Sequence, residues 1–187
     1  PIFLQCSFPD PHHPFTPPGR YWDLYRPGDV ALPHSFDAPL TDAPPPVTWL
    51  HAQRAGRAPS FKPGHGTFAV THQEAREALA LNYGNIACID DAVGQVMAEL
   101  DHLGLADNTV VVLWGDHGWR LDDYGQIGKH ALLERALESP LIIRPPAKLR
   151  PDRLVEIIGR RALLEVRKVP ILPQGARRVV GGKLIER

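Results

Sequence analysis

The chain has 187 residues, with 21 Lys+Arg against 21 Asp+Glu, 43% hydrophobic and 22% charged residues. That length fits one domain, or one domain with a tail, and is enough to bury a core. The composition excludes a fibrous or wholly disordered chain. No apolar run approaches the roughly 20 residues of a membrane span, and a zero balance argues against a general nucleic-acid binder if the charge is evenly spread.

It is not evenly spread. Residues 1–147 hold 10 basic and 17 acidic residues, whereas residues 148–187 hold 11 basic and 4 acidic. Such a break marks a separate module, an interaction tail or a foreign segment. Two domains are therefore expected, 1–147 and a basic tail, 148–187. The tail's arginines lack interleaved aromatics, so only charge speaks for nucleic acid or an anionic membrane as its partner. Cys6 and Cys88 form neither a CxxC nor a zinc pattern and are expected to be buried free thiols. The chain starts at Pro1 without a basic n-region or a small-residue cleavage site. No signal peptide is read, and an upstream segment is expected to be missing.

Residues 1–8, Pro-Ile-Phe-Leu-Gln-Cys-Ser-Phe, read as a short buried strand. Residues 9–72 hold 13 of the 20 prolines and show no period. Proline fixes φ and removes a donor, so a long loop packed through its aromatics is expected. Residues 73–102 read as a helix, with Leu79, Tyr83, Ile86, Ile89, Val93, Val96, Met97 and Leu100 as its apolar stripe. Gly84 could bend this helix, and Gly104 is a plausible stop. Residues 109–114, Thr-Val-Val-Val-Leu-Trp, suit a central parallel strand covered on both faces. A short helix near 131–137 and a second strand at 140–143 follow. The alternation implies an α/β fold with a largely parallel sheet. Residues 154–166 could form a helix in the tail.

Ligands of open α/β sheets bind beyond the carboxyl ends of strands. There stand Gly115-Asp116-His117-Gly118. A carboxylate and an imidazole side by side can reach one cation; the carboxylate suits a hard metal and the imidazole leans toward Mn²⁺ or Zn²⁺. The alternative is a turn that Asp116 caps and His117 packs upon. Lys129, after Gly128, could hold an anionic ester oxygen, or be a solvated loop lysine. His12 and His13, in Pro11-His12-His13-Pro14, could bind an oxyanion or protonate a leaving group, or belong to a surface loop.

Three blocks resemble the C-terminal part of a type I sulfatase catalytic domain, of the alkaline phosphatase superfamily. The first is Pro11-His12-His13-Pro14-Phe15. The second runs from Tyr83 through Ile89-Asp90-Asp91-Ala92-Val93-Gly94 to Leu103-Gly104-Leu105-Ala106-Asp107-Asn108-Thr109. The third runs from Val110 through Trp114-Gly115-Asp116-His117-Gly118-Trp119 and Lys129 to Pro140-Leu141-Ile142-Ile143. The resemblance implies that Asp116 and His117 are metal ligands, for Ca²⁺ in most sulfatases. It implies that Lys129 contacts the sulfate or its leaving-group oxygen. His12 becomes a substrate contact and acid, with His13 the adjacent alternative, and Asp90 and Asp91 become structural.

The departures are specific. Leu121-Asp122-Asp123-Tyr124-Gly125 replaces the family's Leu-Gly-x-His-Gly, so Asp122 stands where the family has glycine. The family's C/S-x-P-x-R nucleophile segment, whose Cys or Ser becomes formylglycine, is absent, as are two further acidic ligands. Thr16-Pro17-Pro18-Gly19-Arg20 fits that motif only superficially, inside the wrong loop. The expectation is a fragment of a metal-dependent sulfuric ester hydrolase, inactive without its N-terminal half and acting on a sulfate ester of a small molecule or sugar. The alternatives are a phosphonate or phosphate ester hydrolase of the same superfamily, with Mn²⁺ or Zn²⁺, and a non-catalytic remnant. Export to the periplasm or medium rests on the resemblance alone.

Overall fold

The computed structural model describes residues 2–55, 67–146, 178–180 and 183–185. The helix expected at 154–166 lies outside them. The chain divides into two units, Pro1–Val96 with Gly115–Ser139, and Met97–Trp114 with Pro140–Arg187.

Helix α1, Pro45–Ala55, lies inside the proline-rich stretch, where no regular element was expected. Its prolines occupy the first turn, where a missing N–H costs nothing because that donor would be unpaired anyway. The Val47 N–H donates to the Pro44 carbonyl, starting the helix at the last place the prolines permit.

Helix α2, His72–His102, bears out the predicted helix almost to the residue. Thr71 and Glu74 form a capping box: the Thr71 N–H donates to Glu74 Oε2 at 2.8 Å and the Glu74 N–H to Thr71 Oγ1 at 3.3 Å. At the other end, Gly104 has φ +66°, its N–H donates to the Asp101 carbonyl, and the Leu105 N–H donates to that of Leu100. This pair of bonds is a Schellman motif, and it closes the helix. The buried face differs from the predicted stripe. Ala75, Leu79, Ala80, Asn82, Gly84 and Asn85 are buried, while Ile86 and Val96 are exposed. Gly84 is no bend: a Cβ there would collide with the Tyr21 carbonyl and with Pro17, so the helix needs glycine for close approach.

The stretch before α1 packs onto α2 through its aromatics, as expected. Tyr21 Oη donates to Asp91 Oδ2 at 2.8 Å and Arg20 pairs with the same oxygen at 2.6 Å. Tyr25 meets Tyr83 edge to face at 5.6 Å. Val30, Leu79 and Ala80 form one buried cluster with Tyr25, Tyr83 and Leu121 against it. Phe36, Val70, Ala75 and Ile127 form a second, against which Trp119 packs.

Strands β1 (Phe68–Ala69), β3 (Arg120–Leu121) and β4 (Gln126–Gly128) form a sheet in the order β1-β4-β3. In the other unit β2, Val111–Trp114, pairs with β5, Leu141–Arg144, in register Val111↔Arg144 to Trp114↔Leu141. Strands β6, Arg178–Val180, and β7, Lys183–Ile185, pair with each other.

The mixture of helix and sheet is as expected; the parallel pairing is not. Every ladder among the described residues is antiparallel. A parallel return needs a long crossover, usually a helix. Between β2 and β5 the chain instead makes the β3–β4 hairpin and a four-residue helix, α3, Glu134–Leu137. β2 is not covered on both faces either: Val112 and Trp114 are exposed, in alternation with half-buried Val111 and Leu113. The expected first strand is absent too, with Ile2, Phe3 and Leu4 exposed. An apolar run becomes a strand only where a ladder partner exists, and none pairs with it among the described residues. Cys6 and Cys88 are free as expected, but Cys6 is exposed and Cys88 half-buried.

Candidate functional site

Asp116 and His117 follow β2 after a single residue, Gly115. Asp116 Oδ1 accepts the His117 N–H at 3.1 Å, which folds the carboxylate back toward the imidazole. His117 Nδ1 lies 2.7 Å from the Gly118 carbonyl. A carbonyl only accepts, so Nδ1 carries the proton and the Nε2 lone pair is left for another partner. That Nε2 stands 3.5 Å from Asp116 Oδ2. The two donors can therefore share one cation, with the imidazole held by the carbonyl bond common to metal-bound histidines. Asp116 is exposed and His117 a third exposed. No group of three His, Cys, Asp or Glu fit to hold a metal occurs among the described residues.

Gly118 is the close-approach point of this loop. Its N–H donates to the Ala136 carbonyl at 3.1 Å, and a Cβ would strike the carbonyls of Arg135 and Glu138.

The β3–β4 hairpin carries the rest. Its turn is Asp122-Asp123-Tyr124-Gly125, with φ of +72°, +56° and +62° at Asp122, Tyr124 and Gly125. Asp tolerates the left-handed region better than most residues, which lets it stand in a glycine's place. Tyr124 is held there from both sides: its N–H donates to the Ser35 carbonyl, and its carbonyl accepts from His51 Nε2 at 2.7 Å. Ser35 Oγ donates to Asp123 Oδ1 at 2.7 Å. Asp122 is fully buried, and neither carboxyl oxygen has a hydrogen-bond partner among the described residues. Burial, then the neighbouring Asp123 charge, pushes its carboxyl up to about 7. Burial, then Asp122, also raises the Tyr83 phenol.

Register places Lys129. Arg120 faces Gly128 and Leu121 faces Ile127, so the next pair outward is Trp119 and Lys129. Lys129 Nζ lies 5.4 Å from the Trp119 ring centre. His12 and His13 reach the same indole from the N-terminal segment, at 5.9 and 5.1 Å between ring centres. They stack on each other at 4.2 Å, and Phe15 meets Trp119 edge-on at 6.1 Å. His12 Nδ1 donates to the His13 carbonyl at 2.6 Å. His12 is exposed; His13, Trp119 and Lys129 are half-buried.

Lys129, His12 and His13 are thus brought together, and Asp116 and His117 form a pair of their own two residues before Trp119. Sequence reasoning missed Trp119 as the meeting point and Asp122 as a buried acid. Hairpin register could have found the first; burial of a turn residue leaves no sequence signal. A cleft lined by Phe36, Asp37, Leu40, His51, Arg54 and His72 contains none of the predicted site residues.

The sulfatase family model matches residues 1–166. The chain belongs to the sulfatase family. The match runs past the charge break at 147. A sulfatase of Formosa agariphila is 32% identical over 146 residues, 78% of this chain and 27% of that protein. Mouse (Mus musculus) iduronate 2-sulfatase is 27% identical, covering 81% of this chain and 28% of its own length. A phosphonate monoester hydrolase from Silicibacter pomeroyi superposes with a TM-score of 0.58 at 27% identity, over 73% of this chain and 27% of that one. The matched region therefore spans little more than a quarter of the length of each of these three relatives. No helix among the described residues is long and apolar enough to cross a membrane.

Proposed function

We propose that this sulfatase-family chain supplies part of the active site of a metal-dependent sulfuric ester hydrolase. The observation that carries the reading is the convergence of Lys129, His12 and His13 on one indole in a chain of this family. Asp116 and His117 would hold a divalent cation, Ca²⁺ first, with donors from outside this chain completing the shell. The bound cation would supply positive charge to a sulfate ester and its transition state. Lys129 clamps an anionic ester oxygen as a point charge. His12, with Nδ1 committed to the His13 carbonyl, offers Nε2–H to the departing alcohol oxygen when protonated; His13 lies beside it as the second imidazole. The nucleophile comes from outside this chain. Thr16 is assigned no part; among the described residues its Oγ1 donates to the Pro14 carbonyl at 3.4 Å.

The structural likeness to a phosphonate monoester hydrolase favours a second reading, a phosphonate or phosphate ester hydrolase using Mn²⁺ or Zn²⁺. Clamp, acid and cation serve either ester, because both present anionic oxygens and a leaving oxygen. The test is twofold. The purified chain is incubated with an aryl sulfate and Ca²⁺, and no turnover is expected; metal-dependent turnover would place the nucleophile within the chain and overturn this assignment. An enzyme joining this chain to the nucleophile segment is then compared on aryl sulfate, phosphate diester and phosphonate monoester. Preference for sulfate supports the first reading, and preference for the phosphorus esters replaces it with the second.

A further inference from the structure

We propose that Trp119 is a positioning residue: its indole aims the Lys129 ammonium and the His12–His13 pair at one anionic ester group. The proposal rests on the reading of Lys129 as the anion clamp, and it adds the group that makes the clamp rigid.

Three observations carry it. First, Trp119 and Lys129 are the residues that flank the open end of the β3–β4 ladder, next to its last pair Arg120↔Gly128. Residues opposite each other on an antiparallel pair have Cβ atoms about 4.5–5.5 Å apart. Just beyond that ladder the chains are still close, and Lys129 Nζ lies 5.4 Å from the indole centre. Second, the indole is fixed from behind. It packs against the cluster of Phe36, Val70, Ala75 and Ile127, so its ring cannot swing away with the ligand-facing side chains. Third, besides Phe15 at 6.1 Å, its ring neighbours are the chemistry-bearing groups, with Lys129 Nζ at 5.4 Å and the imidazoles of His13 and His12 at 5.1 and 5.9 Å.

The electrostatics suit the task. Lys129 pairs with no carboxylate among the described residues. A carboxylate partner would neutralise the charge that an anion must meet. The face of an indole attracts a cation without carrying a net charge, so it can hold the ammonium and leave it available. A flexible lysine stem otherwise loses much rotamer freedom on binding, and a preset ammonium avoids part of that cost. The Trp119 Nε1 donor is buried without a partner among the described residues. Lys129 meets the ring face, so phenylalanine, which keeps a face and loses only the N–H, is the conservative replacement.

The test uses the full chain, inorganic sulfate as the probe, and the variants Trp119→Leu, Trp119→Phe and Lys129→Ala. Lys129 is one of five lysines, and its ε-methylene proton signal is assigned by its loss in Lys129→Ala. In the unsubstituted chain that signal is expected upfield of the other lysines, from the indole ring current, and to move on addition of sulfate. Trp119→Leu should return it to the exposed-lysine position and weaken sulfate binding on the order of tenfold, as should Lys129→Ala. Trp119→Phe should keep both the shift and most of the affinity. A merely structural tryptophan would change the melting temperature, followed in parallel, but leave the sulfate affinity of Trp119→Leu unchanged.

A Lys129 signal at the exposed position in the unsubstituted chain overturns the proposal. So does unchanged sulfate affinity in Trp119→Leu alongside weakened affinity in Lys129→Ala, which leaves the clamp reading standing. No sulfate binding by the unsubstituted chain, or binding that Lys129→Ala leaves intact, removes the clamp reading instead. If Trp119→Leu does not fold, the Phe variant and the unsubstituted spectrum decide.

Discussion

Arg120 Nη1 donates to Gln126 Oε1 across 2.5 Å, and both side chains are fully buried. Arg120 also donates to the Asp123 carbonyl at 3.0 Å, and Gln126 Nε2 donates to the Val47 carbonyl at 3.0 Å. A guanidinium thereby ties the hairpin turn to α1. Burial lowers the Arg120 pKa, with Asp123 opposing. Gln126→Leu leaves a buried charged donor without its partner and should destabilise the chain by about 2–3 kcal/mol, measured by urea unfolding. A loss below about 0.5 kcal/mol, the range of ordinary surface substitutions, would show that the pair carries no weight.

Asp122 links stability to pH. Its folded-state pKa is raised to about 7 from 3.8, chiefly by burial. The folded chain keeps that proton after the unfolded chain has lost it. Unfolding free energy should therefore fall as pH rises from about 4 to 7, then level off. Subtracting the Asp122→Asn curve isolates this contribution, on the order of 2–4 kcal/mol across the window. Parallel curves for the two proteins would sink the assignment. Asp122→Gly should also stabilise the chain at neutral pH, because it removes the buried carboxyl and suits φ +72°.

The capping box at the head of α2 is a local device with a local cost. Thr71→Ala removes the acceptor of the Glu74 N–H and should cost about 1 kcal/mol. Thr71→Ser should restore most of it, since only the hydroxyl is needed. Thermal unfolding of the three proteins is the measurement.

Gly118→Ala should cost about 1–3 kcal/mol. The added methyl group meets the backbone carbonyls of Arg135 in α3 and of Glu138 just after it, which cannot swing aside as a flexible side chain would. The same shift moves His117, whose Nδ1 bond ends on the Gly118 carbonyl. Calcium affinity should fall with stability, whereas a variant losing stability alone would uncouple the loop from the ligand pair.

Direct removal of the proposed ligands is simpler. Asp116→Ala and His117→Ala should each weaken calcium binding about tenfold or more, with little change in melting temperature for exposed Asp116. Calorimetric titration of the full chain with Ca²⁺ checks both, and equal affinity in all three proteins would remove the pair from the metal site.

Periodicity was enough to place α2, because a 31-residue amphipathic run has few other ways to bury its face. The candidate residues were legible in the sequence, because Asp116-His117 after an apolar run, Lys129 and the His12-His13 pair stand in the order that the family resemblance gives them. Their grouping was not. Trp119 meets Lys129 only because the turn holds four residues and fixes the register, and a slip of one would send the two apart. Asp122 reads as a solvated turn residue, since burial is a property of what packs over a position. Strand direction escaped the sequence for the same reason. A β-branched run such as residues 109–114 satisfies parallel and antiparallel ladders alike, and the returning chain chooses between them. The residue types determined which side chains are candidates for the proposed chemistry. Which side chains meet, which carboxyl keeps its proton and which strands pair were decided by long-range packing, because those depend on distances between residues far apart in the chain.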